Sequence, residues 1–421
     1  MVIKGDILFT KNKDDFEIYE NGFLIIEDGK VKAVQQEYLG TEKIIDRTGN
    51  LILPTFVDLH LHANQYANCG LGNDEELLTW LEKYTYPEEV KFKDLTYAEE
   101  IYKEVLTKLW EAGSLRSVIY ASLYKEASDL MFKLTIDSGL SAYVGKVNMD
   151  RNTPDFYIES TEDSINFSEE LIKKYKDNEL VKPIITPRFV PHCTVESMKG
   201  QGKLAKEYDV PVQSHMNESL AENAWVTQLH PEYKTSTEVF EKYGLFGSSS
   251  KTIMAHCIHN TKEELDLMKK RNFYPVHCPE SNANLTSGIM DVKGMLEAGI
   301  PVSIGSDISG GHHIFMPNQI VLAIQLSKMK ARMEDDLSRV LTLSEVFYMA
   351  TKSGGSFFGE TGSFEEGYSA DFLVIDTRSI MAPRENRTPV ERLEKFLYLG
   401  SQNNIIEKFL QGKKIDRPFK D

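Results

Sequence analysis

From residue 54 to residue 308, short apolar runs alternate with stretches long enough for a helix. No other feature narrows the fold as much. The runs read PTFVDLHLH, LRSVIYASL, SAYVGKVNM, KPIITPRFV, VPVQSHMN, KTIMAHCIH, FYPVHCPES and IPVSIGSDI, about eight candidate strands. TYAEEIYKEVLTKLWEAG precedes the second run. TKEELDLMKKRN, before the seventh, opens on Thr261 with Glu264 three residues on, the pattern of a capping box. Strands that alternate with helices form parallel sheets, because each helix carries the chain back to start the next strand in the same direction. Eight such units predict an α/β fold: a (β/α)8 TIM-like barrel over residues 55–365.

Residues 1–54 and 366–421 read differently. MVIKGDILFT, GFLIIEDGKVKAVQ and EKIIDRTGNLILP are β-rich, punctuated by Asn21-Gly22 and Asp28-Gly29. ADFLVIDTR, EKFLYLG and IIEKFLQGKKI look similar at the other end. Neither end has enough strands to bury a face alone, so both are expected to pair into one small β-sandwich domain. The sequence shows no internal repeat and no low-complexity linker.

Composition excludes several classes. The net charge of -16 argues against a nucleic-acid partner, which would call for a basic face. No apolar run is long enough for a membrane span, and the N-terminal segment lacks the features of a signal peptide. Cys69, Cys193, Cys257 and Cys278 are scattered without a paired framework. Reduced thiols in a cytoplasmic protein are therefore expected.

Polar residues gather at the ends of the candidate strands. His60 and His62 end the first, His215 the fifth, His256 the sixth and His277 the seventh; Asp307 ends the eighth. Residues at i and i+2 on a strand share a face, so His60 and His62 project together. One histidine at a strand end is more often structural than a ligand. Several converging on the C-terminal rim of a barrel are another matter, because each strand there delivers a side chain to one mouth. Three neutral imidazoles and a carboxylate suit zinc, or iron in a similar geometry.

His-x-His on the first strand, single histidines on the fifth and sixth, and Asp on the eighth resemble the amidohydrolase superfamily. The segments HANQY, LLTWLEKYTYPEE, VGKVNMD, VKPIITPRF, QSHMNES, MAHC, HCPESNANLTSG and GSDISGG are similar to its guanine-deaminating members, over nearly the whole chain. Two positions depart from that pattern. GSLRSVIY stands where small hydroxyl residues are usual, and Cys257 follows His256 where glycine is common.

The resemblance implies a ligand set of His60, His62, His215 and Asp307 around one Zn2+ per subunit, with Fe2+ as the alternative. It implies that Asp307 takes a proton from water, that His256 orients that water, and that Glu218 protonates ring nitrogen 3 of a purine. Arg188 and Phe189 would hold the purine, Gln65 would meet its edge, and Trp80 and Leu81 would pack on the base. His215, Glu218 and Asp307 would also face the substrate, guanine. A homodimer is implied as well.

Competing readings attach to several of these residues. Asp307 can cap a helix before Gly310-Gly311, and Glu218 can open the helix ESLAENAWVTQL in solvent. Trp80 and Leu81 can be ordinary helix packing. His277 reads as structural. Lys146, on the third strand, is one strand away from the position where related enzymes bridge two metals, which favours one metal. Rival functions are a deaminase of another aminopurine, a pyrimidine or a triazine, and a barrel that has lost catalysis and serves as a scaffold. A cytidine-deaminase-type zinc site needs His-x-Glu and Pro-Cys-x-x-Cys, which the chain does not supply.

Overall fold

The computed structural model describes residues 1–247 and 250–419. The chain divides into two compact units. One comprises Met1–Asp58, Thr107–Arg116 and His313–Asp421; the other comprises Leu59–Leu106 and Ser117–His312.

In the first unit the two chain ends share one seven-stranded sheet. Its order is Lys413–Lys414, Ile405–Leu410, Phe372–Ile375, Ile44–Pro54, Val2–Thr10, Phe16–Glu27 and Lys30–Gln35. The ends meet where Phe372–Ile375 runs antiparallel to Ile44–Pro54. A buried cluster that includes Ile7, Phe9, Ile26, Ile52, Phe372 and Phe409 packs on this sheet.

Two local expectations change. Asn21-Gly22 does not separate two strands, because Phe16–Glu27 runs through it. Asn21 takes φ 50° and its N–H donates to Asp6 Oδ1 at 2.8 Å, opposite an irregularity in the partner strand between Gly5 and Ile7. The dipeptide makes a bulge, which needs the same left-handed geometry as a turn. EKFLYLG is not β but the end of a helix, Pro389–Leu399. Thr388 and Glu391 close a capping box, Pro389 takes the first turn, and Leu393, Phe396 and Leu397 are buried at helical spacing.

The expected strands of the middle region form, some of them shortened. We number them β1 (Phe56–His62), β2 (Ser114–Tyr120), β3 (Ser141–Gly145), β4 (Val181–Pro183), β5 (Val212–Met216), β6 (Thr252–His256), β7 (Phe273–His277) and β8 (Ser303–Ile304). They lie in two four-stranded sheets, β1–β4 and β5–β8, each in sequence order. Every residue of β1 is buried, as expected for a strand covered on both faces. Beyond β3 and β4 the chain pairs again, briefly, as Val147–Asn148 with Thr186–Pro187. Ile185 bridges to Val212 of β5 in parallel. Past β8, Asp307 N–H donates to His60 O at 2.8 Å, and His62 N–H donates to Ile308 O at 2.7 Å. Gly305 permits this approach: a Cβ there would lie 2.8 Å from His60 Cβ. Among the described residues no helix is long and apolar enough to cross a membrane. All four cysteines are free thiols.

Candidate active site

The polar residues at the strand ends converge within the second unit. His60, His62, His215 and Asp307 each offer one ligand atom, and these atoms lie within 4.8 Å of one another. Asp307 Oδ1 is 3.0 Å from His60 Nε2 and 3.5 Å from His62 Nε2. His62 Nε2 and His215 Nε2 are 3.1 Å apart. His215 Nδ1–H donates to Arg188 O at 2.6 Å, which fixes the tautomer and leaves the Nε2 lone pair facing the other ligands. Burial pushes His60, His62 and His215 below the usual imidazole value, so they stay neutral. Burial opposes the charge on Asp307, but His60, His256 and His62 beside it hold its pKa far below the carboxylate range. Neutral nitrogens facing one another around an ionised carboxylate fit a divalent cation better than they fit hydrogen bonding among themselves.

Strained backbone aims these groups. Asn217, His256, Cys257 and Asp307 have φ of 54°, 72°, 46° and 48°, the left-handed region that side chains with a Cβ avoid. The glycine expected after His256 would fit that geometry without strain. Cys257 instead keeps its backbone in place by donating its N–H to Met216 O at 3.0 Å.

A second layer of groups lies beside the cluster. His256 Nε2 stands 3.4 Å from Glu218 Oε2 and 3.7 Å from Asp307 Oδ2. Burial disfavours charge on His256, yet these two carboxyls outweigh it and raise its pKa. His256 Nδ1–H donates to Asn282 Oδ1 at 2.8 Å, so its Nε2 edge faces the acids. Burial raises Glu218, and His256 opposes the shift. Glu218 Oε1 accepts from Ser287 Oγ–H at 3.1 Å, and Glu218 N–H donates to Glu222 Oε2 at 2.8 Å. Glu222 is pushed up to about 7, by burial first and by Glu218 second. A carboxyl that is buried, raised in pKa and held by a hydroxyl is suited to give and take a proton.

A small cavity opens over these groups. His62, Gln65, Trp80, Leu81, Arg188, Phe189, His215, Glu218, His256 and Asp307 all line it. His60 lies just behind, touching Asp307. Trp80 and Leu81 come from Leu77–Lys93, a segment of short helical turns, and belong to a buried cluster with Tyr86, Tyr157 and Leu285. Trp80 Nε1–H donates to Leu71 O at 2.9 Å, which fixes its indole. His277 is buried outside the lining, held down to about 3 by burial and by His256. Lys146 pairs with Glu159 at 2.5 Å.

Sequence reasoning did not single out Glu89, Glu222, Asn282, Ser287 or Tyr120. Glu89 is wholly buried and accepts from Gln65 Nε2–H at 2.7 Å and from Arg188 Nη1–H at 2.6 Å. Its signal in the sequence was only an acidic pair in a helical stretch, which usually marks a solvated face. Tyr120, at the end of β2, lays its ring 4.3 Å from that of His62.

The sequence profile of the Amidohydrolase family matches residues 51–415. Guanine deaminase of Dictyostelium discoideum is 36% identical over 442 residues, covering 98% of this chain and 98% of its own. Human guanine deaminase is 35% identical over 445 residues, covering 98% of this chain and 96% of its own. The crystal structure of guanine deaminase from C. acetobutylicum with bound guanine in the active site superposes with a TM-score of 0.96, at 47% identity and 99% coverage of each chain. The profile spans most of the residues, and these relatives extend almost end to end, so the chain is a member of the amidohydrolase family.

Proposed function

We propose that this protein hydrolyses guanine to xanthine and ammonia, with His60, His62, His215 and Asp307 holding one Zn2+ per subunit, or Fe2+. The observation that carries the reading is that one cavity holds both parts: a ligand set beside a raised-pKa carboxyl, and a buried arginine and amide able to read a purine edge. Guanine deaminases over almost the full length of the chain support the choice of substrate.

A cation in that set supplies Lewis acidity, bringing the pKa of water down toward neutrality. Asp307, ionised, accepts the proton that the attacking water loses. His256, anchored at Nδ1 by Asn282, orients that water through its Nε2. Glu218 gives its proton to ring nitrogen 3 as carbon 2 becomes tetrahedral and recovers one from the new hydroxyl as carbon 2 becomes a carbonyl, while the departing amine takes the proton that Asp307 held and leaves as ammonia. Ser287 holds the other oxygen of Glu218 in place. Arg188 donates to the purine carbonyl oxygen and Gln65 meets the adjoining edge. Phe189, Trp80 and Leu81 cover the ring and exclude water. His215 and Asp307 line the floor beneath carbon 2.

The same reading takes residues 55–365 as a closed (β/α)8 barrel and residues 1–54 and 366–421 as a β-sandwich, in a cytoplasmic homodimer. The two hydrogen bonds between the ends of β1 and β8 support closure. The test is ammonia release from guanine compared with adenine, cytosine and 8-oxoguanine, with metal content read on the same sample. Guanine should be strongly preferred, with about one equivalent of metal. Equal rates on adenine or cytosine would overturn the substrate assignment.

A further inference from the structure

We infer that Glu89 is the positioning residue that sets this cavity's preference for a 6-oxo purine edge, an inference that rests on the guanine reading above. Glu89 is wholly buried, and its two oxygens are divided between the two side chains that would read the base: Oε1 accepts from Gln65 Nε2–H at 2.7 Å and Oε2 from Arg188 Nη1–H at 2.6 Å. Both Glu89 oxygens accept, one of them from a guanidinium, and a carboxylate oxygen so paired has no hydrogen to donate. It therefore forces Gln65 to turn its amide NH2 inward, which fixes the orientation of an otherwise flippable group.

Gln65 Oε1 then points the opposite way, where it accepts from Ser309 N–H at 3.4 Å and Ser309 Oγ–H at 3.5 Å, two long contacts that leave it able to accept from a closer donor in the cavity Gln65 lines. Arg188 lies over the Tyr86 ring at 5.4 Å, with one nitrogen committed to Glu89, and keeps further N–H groups to donate into the cavity it lines. Glu89 thus makes the wall read donor from Arg188 and acceptor from Gln65. A lactam edge, a ring N–H beside a carbonyl, is the complement of that pattern. The edge of a 6-aminopurine, a ring nitrogen acceptor beside an amine, is its inverse. A buried site with fixed polarity rejects the inverse edge because its own polar groups would be left unpaired.

Glu89 touches neither substrate nor the reacting atoms, so its loss should change recognition and leave the chemical step largely alone. The test is Glu89→Gln in the metal-loaded protein, reading kcat and KM for guanine and the inhibition constants of hypoxanthine and adenine, two purines without the 2-amine. A neutral amide in that place can donate as well as accept, so Gln65 can flip and Arg188 loses its charged anchor. We expect KM for guanine and the hypoxanthine constant to rise by about 30-fold, the size of a lost charge-assisted hydrogen bond. The adenine constant should move by less than about threefold, and kcat by less than about fivefold. Equal weakening of hypoxanthine and adenine would mean a merely structural role and would overturn the inference, as would unchanged constants. Glu89→Asp covers the case in which the first variant does not fold. It keeps the charge but is too short to hold both partners, and should give an intermediate ratio of hypoxanthine to adenine; a wild-type ratio there also overturns the inference. A wild-type protein that releases no ammonia from guanine sinks the functional reading instead, a result separable from these.

Discussion

Lys408 offers a stability prediction whose sign depends on pH. Its ammonium is almost fully buried in the terminal-sheet unit, 4.1 Å from the Trp110 ring centroid, and donates to Ile405 O at 3.1 Å. Burial pushes its pKa down to about 8, with Glu111 opposing. An unfolded lysine titrates near 10.4, so the difference corresponds to about 3 kcal/mol of preference for the neutral form in the folded state. Contact with the indole face returns about 1 kcal/mol to the charged form. The folded pKa lies below the unfolded one. The contribution of Lys408 to stability is therefore fully present above about pH 10.4 and is lost as pH falls through about 8. Replacing it with methionine removes the charge and keeps the length. We expect Lys408→Met to gain about 2 kcal/mol at pH 7, a rise in Tm of roughly 2–4 °C for a chain of this size. The gain should shrink toward zero by about pH 10.5. Scanning calorimetry of both proteins at the two pH values reads the difference directly. An equal shift at both pH values would refute the reasoning, because a lysine that does not titrate in this range cannot carry a pH-dependent cost.

Other expectations bear on the site. Asn282→Ala removes the acceptor that anchors His256 Nδ1–H. It should lower kcat by about 10–100-fold while metal content stays at the wild-type level, since His256 is outside the ligand set. Steady-state kinetics with metal analysis checks this; wild-type kcat would remove the orienting role of His256. His60→Ala and His62→Ala should each lose both metal and turnover, checked by elemental analysis of the purified variants. Retained metal in both would mean that the His-x-His pair is not in the ligand set.

Much of the fold was legible because periodicity carries it. Strands covered on both faces are mostly apolar up to their polar ends, so β1, β6 and β7 stand out as strands in the sequence. His60 and His62 could be assigned to one face because strand side chains alternate with period two. The shape of β3 and β4 was not legible. Each gives way after a few residues to a short separate pairing; Pro183 and Pro187 in KPIITPRFV signal an interrupted strand, but not that pairing resumes beyond Ile184 and Ile185. EKFLYLG misled because its apolar content resembles a strand, whereas the helix signal lay upstream in Thr388, Pro389 and Glu391.

At the site, residues attached to strand ends could be found because chain order predicts where they converge. Glu89 could not, since it reaches the cavity wall from a run of short helical turns with no periodic pattern. The departure at GSLRSVIY now has a physical reason. Arg116 is buried and pairs with Asp371 at 2.6 Å within the terminal-sheet unit, and Asp371 also accepts from Ser369 Oγ–H and Gln411 N–H. A charge that would be costly alone is matched there by a carboxylate with its remaining lone pairs satisfied.

The central claim is that a metal-bearing cavity deaminates guanine with Glu218 as its proton carrier. The most direct measurement is ammonia release from guanine by Glu218→Gln, with metal content determined on the same preparation. The amide keeps the size of the side chain and cannot cycle a proton, so turnover should fall by at least about a thousandfold with metal unchanged. Near wild-type turnover in a variant with full metal would contradict the account.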